Sequence, residues 1–145
     1  MLKAIFYSSR KSDDLKVSDI EDLITHSIEN NSKKDITGLL IEYKANFLQY
    51  LEGPENAVYD LYNKIKKDQR HYDVILVQDL EIEKRIFPKW NMLFKHLEKN
   101  SLNEQKNQDV YFDHKLIKLM EEKDFWNNVD FWNNIDIIEH LSKIS

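Results

Sequence analysis

Apolar residues in the first part of the chain fall into short strand-like runs, interrupted by two stretches with helical spacing. The run Leu2-Lys3-Ala4-Ile5-Phe6-Tyr7-Ser8 is apolar on both faces, with Leu2, Ala4 and Phe6 on one and Ile5 and Tyr7 on the other. That pattern predicts a strand with neighbours on both sides. Ser18-Asp19-Ile20-Glu21 reads as a capping box, and Ile20, Leu23, Ile24 and Ile28 then recur at helical spacing. A helix is predicted to about Asn30, with Asn30 and Asn31 at its C-terminus. Ile36 to Tyr43 and Phe47 to Glu52 are strand-like, and Lys44-Ala45-Asn46 between them is short enough for a hairpin. Gly53-Pro54 opens a second helix, with Pro54 at its first position and Val58, Leu61, Tyr62 and Ile65 on one face. A fourth strand is predicted over Val74 to Gln78 and a fifth over Trp90 to Phe94.

The order β-α-β-β-α-β-β predicts an α+β fold of the split βαβ, ferredoxin-like kind, with two helices on one face of the sheet. Such folds host unrelated activities, so function has to be argued from side chains. From about Glu98 to Asp109 the composition turns polar, and helix-like segments follow near Asp113 to Glu122 and Asn134 to Lys143. Residues 1–97 are therefore expected to form the domain and 98–145 a helical appendage. Within the appendage, Asp124-Phe125-Trp126-Asn127-Asn128-Val129 is echoed by Asp130-Phe131-Trp132-Asn133-Asn134-Ile135. This period matches neither a heptad nor a solenoid unit. Aromatic pairs packing on the free sheet face are the simpler reading, and a partner-docking element is the other.

Composition removes several classes of function. A chain of 145 residues is long enough for one domain with its own core. The absence of cysteine excludes disulfides, thiol catalysis and zinc-thiolate sites, and suits a reducing cytoplasm. No apolar stretch approaches the roughly 20 residues of a membrane span, and no signal-peptide pattern opens the chain, so a cytoplasmic protein without a membrane partner is expected. A net charge of -5 argues against a nucleic-acid partner. An RNA-binding module of the same topology would also need an aromatic and basic signature that the third strand lacks. A phosphate-cradling enzyme loop would need glycine between Ser8 and Leu15, where there is none. The histidines His26, His71, His96, His114 and His140 have no metal-ligand spacing, so no metal is expected.

Strand alternation places Phe47, Gln49 and Leu51 on one side of the third strand and Trp90, Met92 and Phe94 together on the fifth. Tyr7, Gln49 and Met92 are thereby expected to share a pocket, edged by Asn30 and Asn31 after the first helix and by Asp68-Gln69-Arg70-His71 after the second. An apolar slot rimmed by amides, an acid and a base suits a flat heteroaromatic ligand with imide-like donors and acceptors. Taken singly, Tyr7 is as readily a half-buried strand tyrosine, Gln49 a satisfied core amide and Asn30-Asn31 a helix cap. Trp90 and Met92 are by themselves ordinary core residues.

At these positions the chain resembles the BLUF family, blue-light sensors using flavin. The matching stretches are Leu2 to Ser8, Ser27 with Asn30-Asn31, Ile36-Thr37-Gly38-Leu39-Leu40, Phe47 to Pro54, Asp68 with Arg70-His71, and Arg85 through Phe87 to Trp90-Asn91-Met92. They run in order from residue 2 to about 94, and the tail lies outside them. The resemblance implies that Asn31 pairs with the flavin C4 carbonyl and N3–H, one amide supplying donor and acceptor. Asn30, Lys64 and Arg70 would contact the ribityl or phosphate periphery. Asp68 and His71 would border the pyrimidine side, and Ile24, Ser27, Ile65 and Phe47 would wall the slot.

By the same resemblance Tyr7, Gln49, Trp90 and Met92 form the photoactive set. Excited oxidised flavin would draw an electron and then a proton from Tyr7 through Gln49, and after recombination Gln49 would be left rotated, tautomerised or both. Absorption would shift slightly to the red until dark recovery. No net reaction is catalysed, so the protein would be a sensor and not an enzyme. FAD is the expected cofactor, with FMN or riboflavin accepted if contacts end near the ribityl chain. Signalling is expected to reach a separate effector protein, from a homo-oligomer. The route would run from Trp90 and Met92 to a tail whose Leu116, Ile117, Leu119 and Met120 cover the sheet face bearing Leu2, Ala4, Phe6, Leu48 and Tyr50. The alternative is a light-insensitive flavin-binding or protein-interaction domain of the same fold.

Overall fold

Strands that bury both faces need a partner on each side and a layer above and below, and this chain meets the first demand with one mixed sheet. In the computed structural model, residues 1–97 are described, the side chains of Val77 and Gln78 excepted. β1 (Leu2–Lys11) lies between β3 (Asn46–Pro54) and β4 (His71–Ile82), antiparallel to both. β2 (Thr37–Tyr43) pairs antiparallel with β3, and β5 (Leu93–Leu97) runs parallel to β2 along the far edge. The sheet order is β4-β1-β3-β2-β5, and the chain is the α+β, ferredoxin-like arrangement expected from its pattern.

Local chemistry explains most of the boundaries. β2 and β3 are joined through Lys44 and Ala45, with Tyr43 paired to Asn46 and Lys44 in the left-handed region at φ 52°. α1 (Val17–Lys33) begins ahead of the expected Ser18 cap. The Asp19 carboxylate accepts a hydrogen bond from the Lys16 backbone N–H at 2.8 Å, so an acid in the first turn closes this end. The helix also runs past Asn30, and the left-handed residue beyond it is Asp35, at φ 58°, not either asparagine. α2 (Glu55–Ile65) starts one residue later than expected, because Pro54 takes the cap position with an extended ψ of 137°.

The fifth strand is the clearest correction. It was expected over Trp90 to Phe94 but starts at Leu93. The Trp90 N–H donates to the Phe87 carbonyl at 3.2 Å, closing a turn through Pro88 and Lys89, and the Trp90 carbonyl is held by Gly38 N–H at 3.0 Å. Period-two spacing of Trp90, Met92 and Phe94 therefore spans a turn and the start of a strand.

The core lies between the sheet and the helices. Ile5, Tyr7, Ile36, Leu40, Phe47, Leu51, Val58, Tyr62 and Met92 are buried together there. Ala4, Phe6, Leu39, Ile41, Leu48 and Tyr50 on the opposite face are buried as well, and Tyr50 packs on Phe87 with ring centroids 5.6 Å apart. The segments expected over 98–145, including the aromatic repeat and the apolar set Leu116, Ile117, Leu119 and Met120, lie outside the described residues.

Candidate functional site

Register builds the floor of the site. Tyr7 on β1 is paired with Gln49 on β3, which is paired in turn with Leu40 on β2, so the three form one row across the sheet. Alternation turns this row, with Phe47, toward the helices. Above it α2 packs closely, with Val58 and Tyr62 buried, whereas Ile20, Leu23 and Ile24 of α1 are only half-buried. The difference is a cleft, with Leu23 and Ser27 of α1 on one wall, Leu61 and Ile65 of α2 on the other, and Asp68, Arg70 and His71 at its rim.

The Tyr7 hydroxyl donates to Gln49 Oε1. The other end of the carboxamide is weakly held: its Nε2 faces Met92 Sδ at 3.8 Å, and a thioether is a poor acceptor. Burial raises the Tyr7 phenol well above its ordinary value, with Tyr62 and Asp68 adding to the effect. It therefore remains a neutral donor.

The rim is preorganised by its own bonds. Arg70 forks onto Asp68, with Nε at 2.9 and 3.1 Å and Nη2 at 2.5 Å, and the Arg70 backbone N–H adds a bond of 2.9 Å. The Arg70 guanidinium is the main reason the Asp68 carboxyl lies below its ordinary value. His71 Nε2 is 2.6 Å from the Ile65 carbonyl, which only accepts, and Nδ1 is 2.8 Å from Ser9 Oγ. For a neutral ring this fixes the Nε2–H tautomer, with Ser9 donating to Nδ1.

Of the residues singled out by sequence, Tyr7, Ser27, Phe47, Gln49, Ile65, Asp68, Arg70 and His71 line the cleft. Met92 sits behind Gln49. Ile24 is half-buried on α1 outside the lining, while Asn30 and Lys64 are exposed. Asn31 is buried, and its Nδ2 donates to the Asn91 carbonyl at 2.9 Å. Trp90 is half-buried, with an indole nitrogen that has no hydrogen-bond acceptor among the described residues. Leu23, Leu40 and Leu61 also line the cleft but were not among the candidates. Periodicity marked Leu23 and Leu61 as inward-facing, without indicating which inward positions face the core and which the cleft.

An isoalloxazine fits this chemistry. The cleft has apolar walls and a polar rim, and its floor carries an amide with a donor end bonded only to sulfur. No group of three or more His, Cys, Asp or Glu residues placed to hold a metal occurs among the described residues. Likewise no helix there is long and apolar enough to cross a membrane.

Comparison with known proteins gives a concordant result. The family model described as sensors of blue-light using FAD matches residues 2–93. The blue light- and temperature-regulated antirepressor BluF of Escherichia coli (strain K12) is 37% identical over 75 residues, 52% of this chain and 19% of the antirepressor. Photoactivated adenylate cyclase subunit beta of Euglena gracilis is 32% identical over 92 residues, 63% of this chain but 11% of that protein. This chain thus spans only a small part of these curated relatives. The solved structure of BlsA in its photo-activated state superposes with a TM-score of 0.77, with 25% identity, covering 100% of this chain and 97% of that one.

Proposed function

Since this chain belongs to the BLUF family, sensors of blue-light using FAD, we propose that it is a blue-light photoreceptor in which Gln49 is a two-state switch driven from Tyr7. The observation that carries the reading is the Tyr7 hydroxyl bonded to one end of a buried carboxamide whose other end meets only Met92 sulfur. When bound, an oxidised flavin supplies blue-light absorption and a transient acceptor for one electron. FAD is the proposed form, with FMN or riboflavin admitted where contacts end near the ribityl chain.

Tyr7 is the electron and proton donor, and Gln49 is the bridge through which its proton leaves and returns. Return of the electron and proton to Tyr7 would leave the Gln49 amide rearranged, by rotation, tautomerism or both. Each arrangement is stabilised by a different set of buried hydrogen bonds, so the change persists until thermal return. Asn31, one of whose donors is taken by Asn91, keeps its oxygen and a second N–H for an imide edge. Ile24, Ser27, Phe47 and Ile65 would wall the ring, and Asp68 and His71 would border its pyrimidine side. Asn30, Lys64 and Arg70 would meet the polar periphery. Lys34, held below its ordinary value by burial and then by Lys64 beside it, places a second cation close to that region.

The chain catalyses no net reaction in this reading. Relatives named as an antirepressor and as photoactivated cyclase subunits couple light to different outputs. A separate effector protein is the proposed partner here, engaged by a homo-oligomer in the cytoplasm. The test is absorbance of the purified, flavin-loaded chain before and after blue illumination. A small red shift that decays in darkness is expected. Material that remains colourless after reconstitution, or yellow material with an unmoved spectrum, overturns the reading.

A further inference from the structure

Glu52 has no exposed surface and lies on β3 three residues beyond Gln49, on the opposite face of the sheet. Its oxygens accept hydrogen bonds from four donors: Oε1 from Thr37 Oγ1 at 3.0 Å and Phe87 N–H at 2.7 Å, Oε2 from the Tyr50 hydroxyl and Ile86 N–H, both at 2.8 Å. A carboxylate taken out of water is tolerated only when its lone pairs are met. Here two of the donors are backbone groups of the connection between β4 and β5, which joins no ladder of its own.

Arg85 reinforces the same point of attachment. Its Nη1 donates to Thr37 Oγ1 at 2.9 Å and to the Glu52 carbonyl at 3.4 Å, and its Nη2 to the Asp35 carbonyl at 2.8 Å. Further along, Gly38 N–H holds the Trp90 carbonyl at 3.0 Å. Asn91 Nδ2 donates to the Ile36 carbonyl at 3.0 Å, and Asn31 Nδ2 to the Asn91 carbonyl at 2.9 Å. The next residue is Met92, with its sulfur against Gln49.

We propose that Glu52 is a positioning residue of the photocycle: by holding the Ile86 and Phe87 amides it seats the connection that sets Met92 against Gln49, and so governs how long a rearranged Gln49 persists. The inference rests on the photosensor reading. A buried amide turns back only when its packed neighbours yield, so a loosened connection lowers the barrier to dark recovery.

The test follows the red shift and its dark decay in the flavin-loaded full chain, for the parent, Glu52→Gln, Tyr50→Phe and Glu42→Gln. Glutamine keeps the size of Glu52 but sets an NH2 against one of the two backbone donors. Glu52→Gln should retain the red shift and decay about 10-fold faster or more, and Tyr50→Phe, which removes one donor and keeps the carboxylate, about 3-fold faster. Glu42 is another buried carboxylate of the sheet, bonded to Lys11 and His96 and not to the β4–β5 connection, so Glu42→Gln should decay at the parental rate. Decay at the parental rate in Glu52→Gln and Tyr50→Phe, or equal acceleration in Glu42→Gln, overturns the proposal while a shifting parent leaves the photosensor reading standing. A parent that does not shift overturns both. If Glu52→Gln fails to fold, Tyr50→Phe decides on the same comparison.

Discussion

The Gln49 carboxamide is unequally bound, strongly at its oxygen and weakly at its nitrogen, and that asymmetry gives it somewhere to go. Replacing Gln49 with Leu, or Tyr7 with Phe, deletes one partner of the pair while leaving the cleft walls in place. Both variants should bind flavin and stay yellow but show no light-induced red shift. A normal photocycle in either would contradict the roles assigned to these side chains. Tyr7→Phe also strips Gln49 Oε1 of its donor, so a stability loss of about 1–3 kcal/mol is expected in denaturant unfolding. At the rim, the Asp68 carboxyl is depressed from its ordinary value of 3.8, chiefly by Arg70. A depressed folded-state value means that this stabilisation is present above pH 3.8 and is lost as pH falls through the folded-state value. Asp68→Asn should therefore melt below the parent at pH 7, and the gap should close progressively below about pH 4. A gap independent of pH would mean that the Asp68–Arg70 pair contributes nothing through charge.

The site exists because elements approach one another unusually closely, and Gly38 is where this is most acute. A β-carbon at Gly38 would collide with the Tyr50 carbonyl oxygen across the β2–β3 ladder. Backbone on both sides leaves little to yield, and the Gly38 N–H is also what holds the Trp90 carbonyl. Gly38→Ala should lower the unfolding free energy by about 3 kcal/mol or more, read by denaturant titration. Parental stability would show that the ladder shifts without cost. The sequence exposed β1, β2 and β3 and the inward faces of both helices because each follows from local alternation or helical spacing. It did not expose the Asp19 cap or the turn before β5. The first depends on which of two neighbouring polar residues the backbone reaches, and the second on Gly38 claiming the Trp90 carbonyl from more than 50 residues away in the chain. For the same reason Glu52 passed as the end of a strand, although its donors come from Thr37, Tyr50 and the β4–β5 connection. Leu40 was likewise invisible as a cleft residue until register placed it beside Gln49.

For the molecule as a whole, the question is how a rearranged amide on one face of the sheet is felt elsewhere. Two physical links leave Gln49. One is β3 itself, where Leu48 and Tyr50 flank Gln49 and face the other side, Tyr50 ending on Glu52 and packing against Phe87. The other is Met92, which leads directly into β5 and the edge of the sheet. Both converge on the connection between β4 and β5, whereas α2 packs on the β1 and β3 face of the core through Val58 and Tyr62 and supplies none of the donors that hold Glu52. Light should therefore redistribute protection in residues 83–97 and leave the α2 amides unchanged. Hydrogen exchange compared between the dark and illuminated flavin-loaded chain measures this directly. The expected result is faster exchange at Ile86, Phe87 and the β5 amides in the light, continuing past Leu97 if the C-terminal residues carry the output. Changes confined to α1 and α2, with none from Arg85 onward, would place the outgoing signal on the helical face and remove both links from the mechanism.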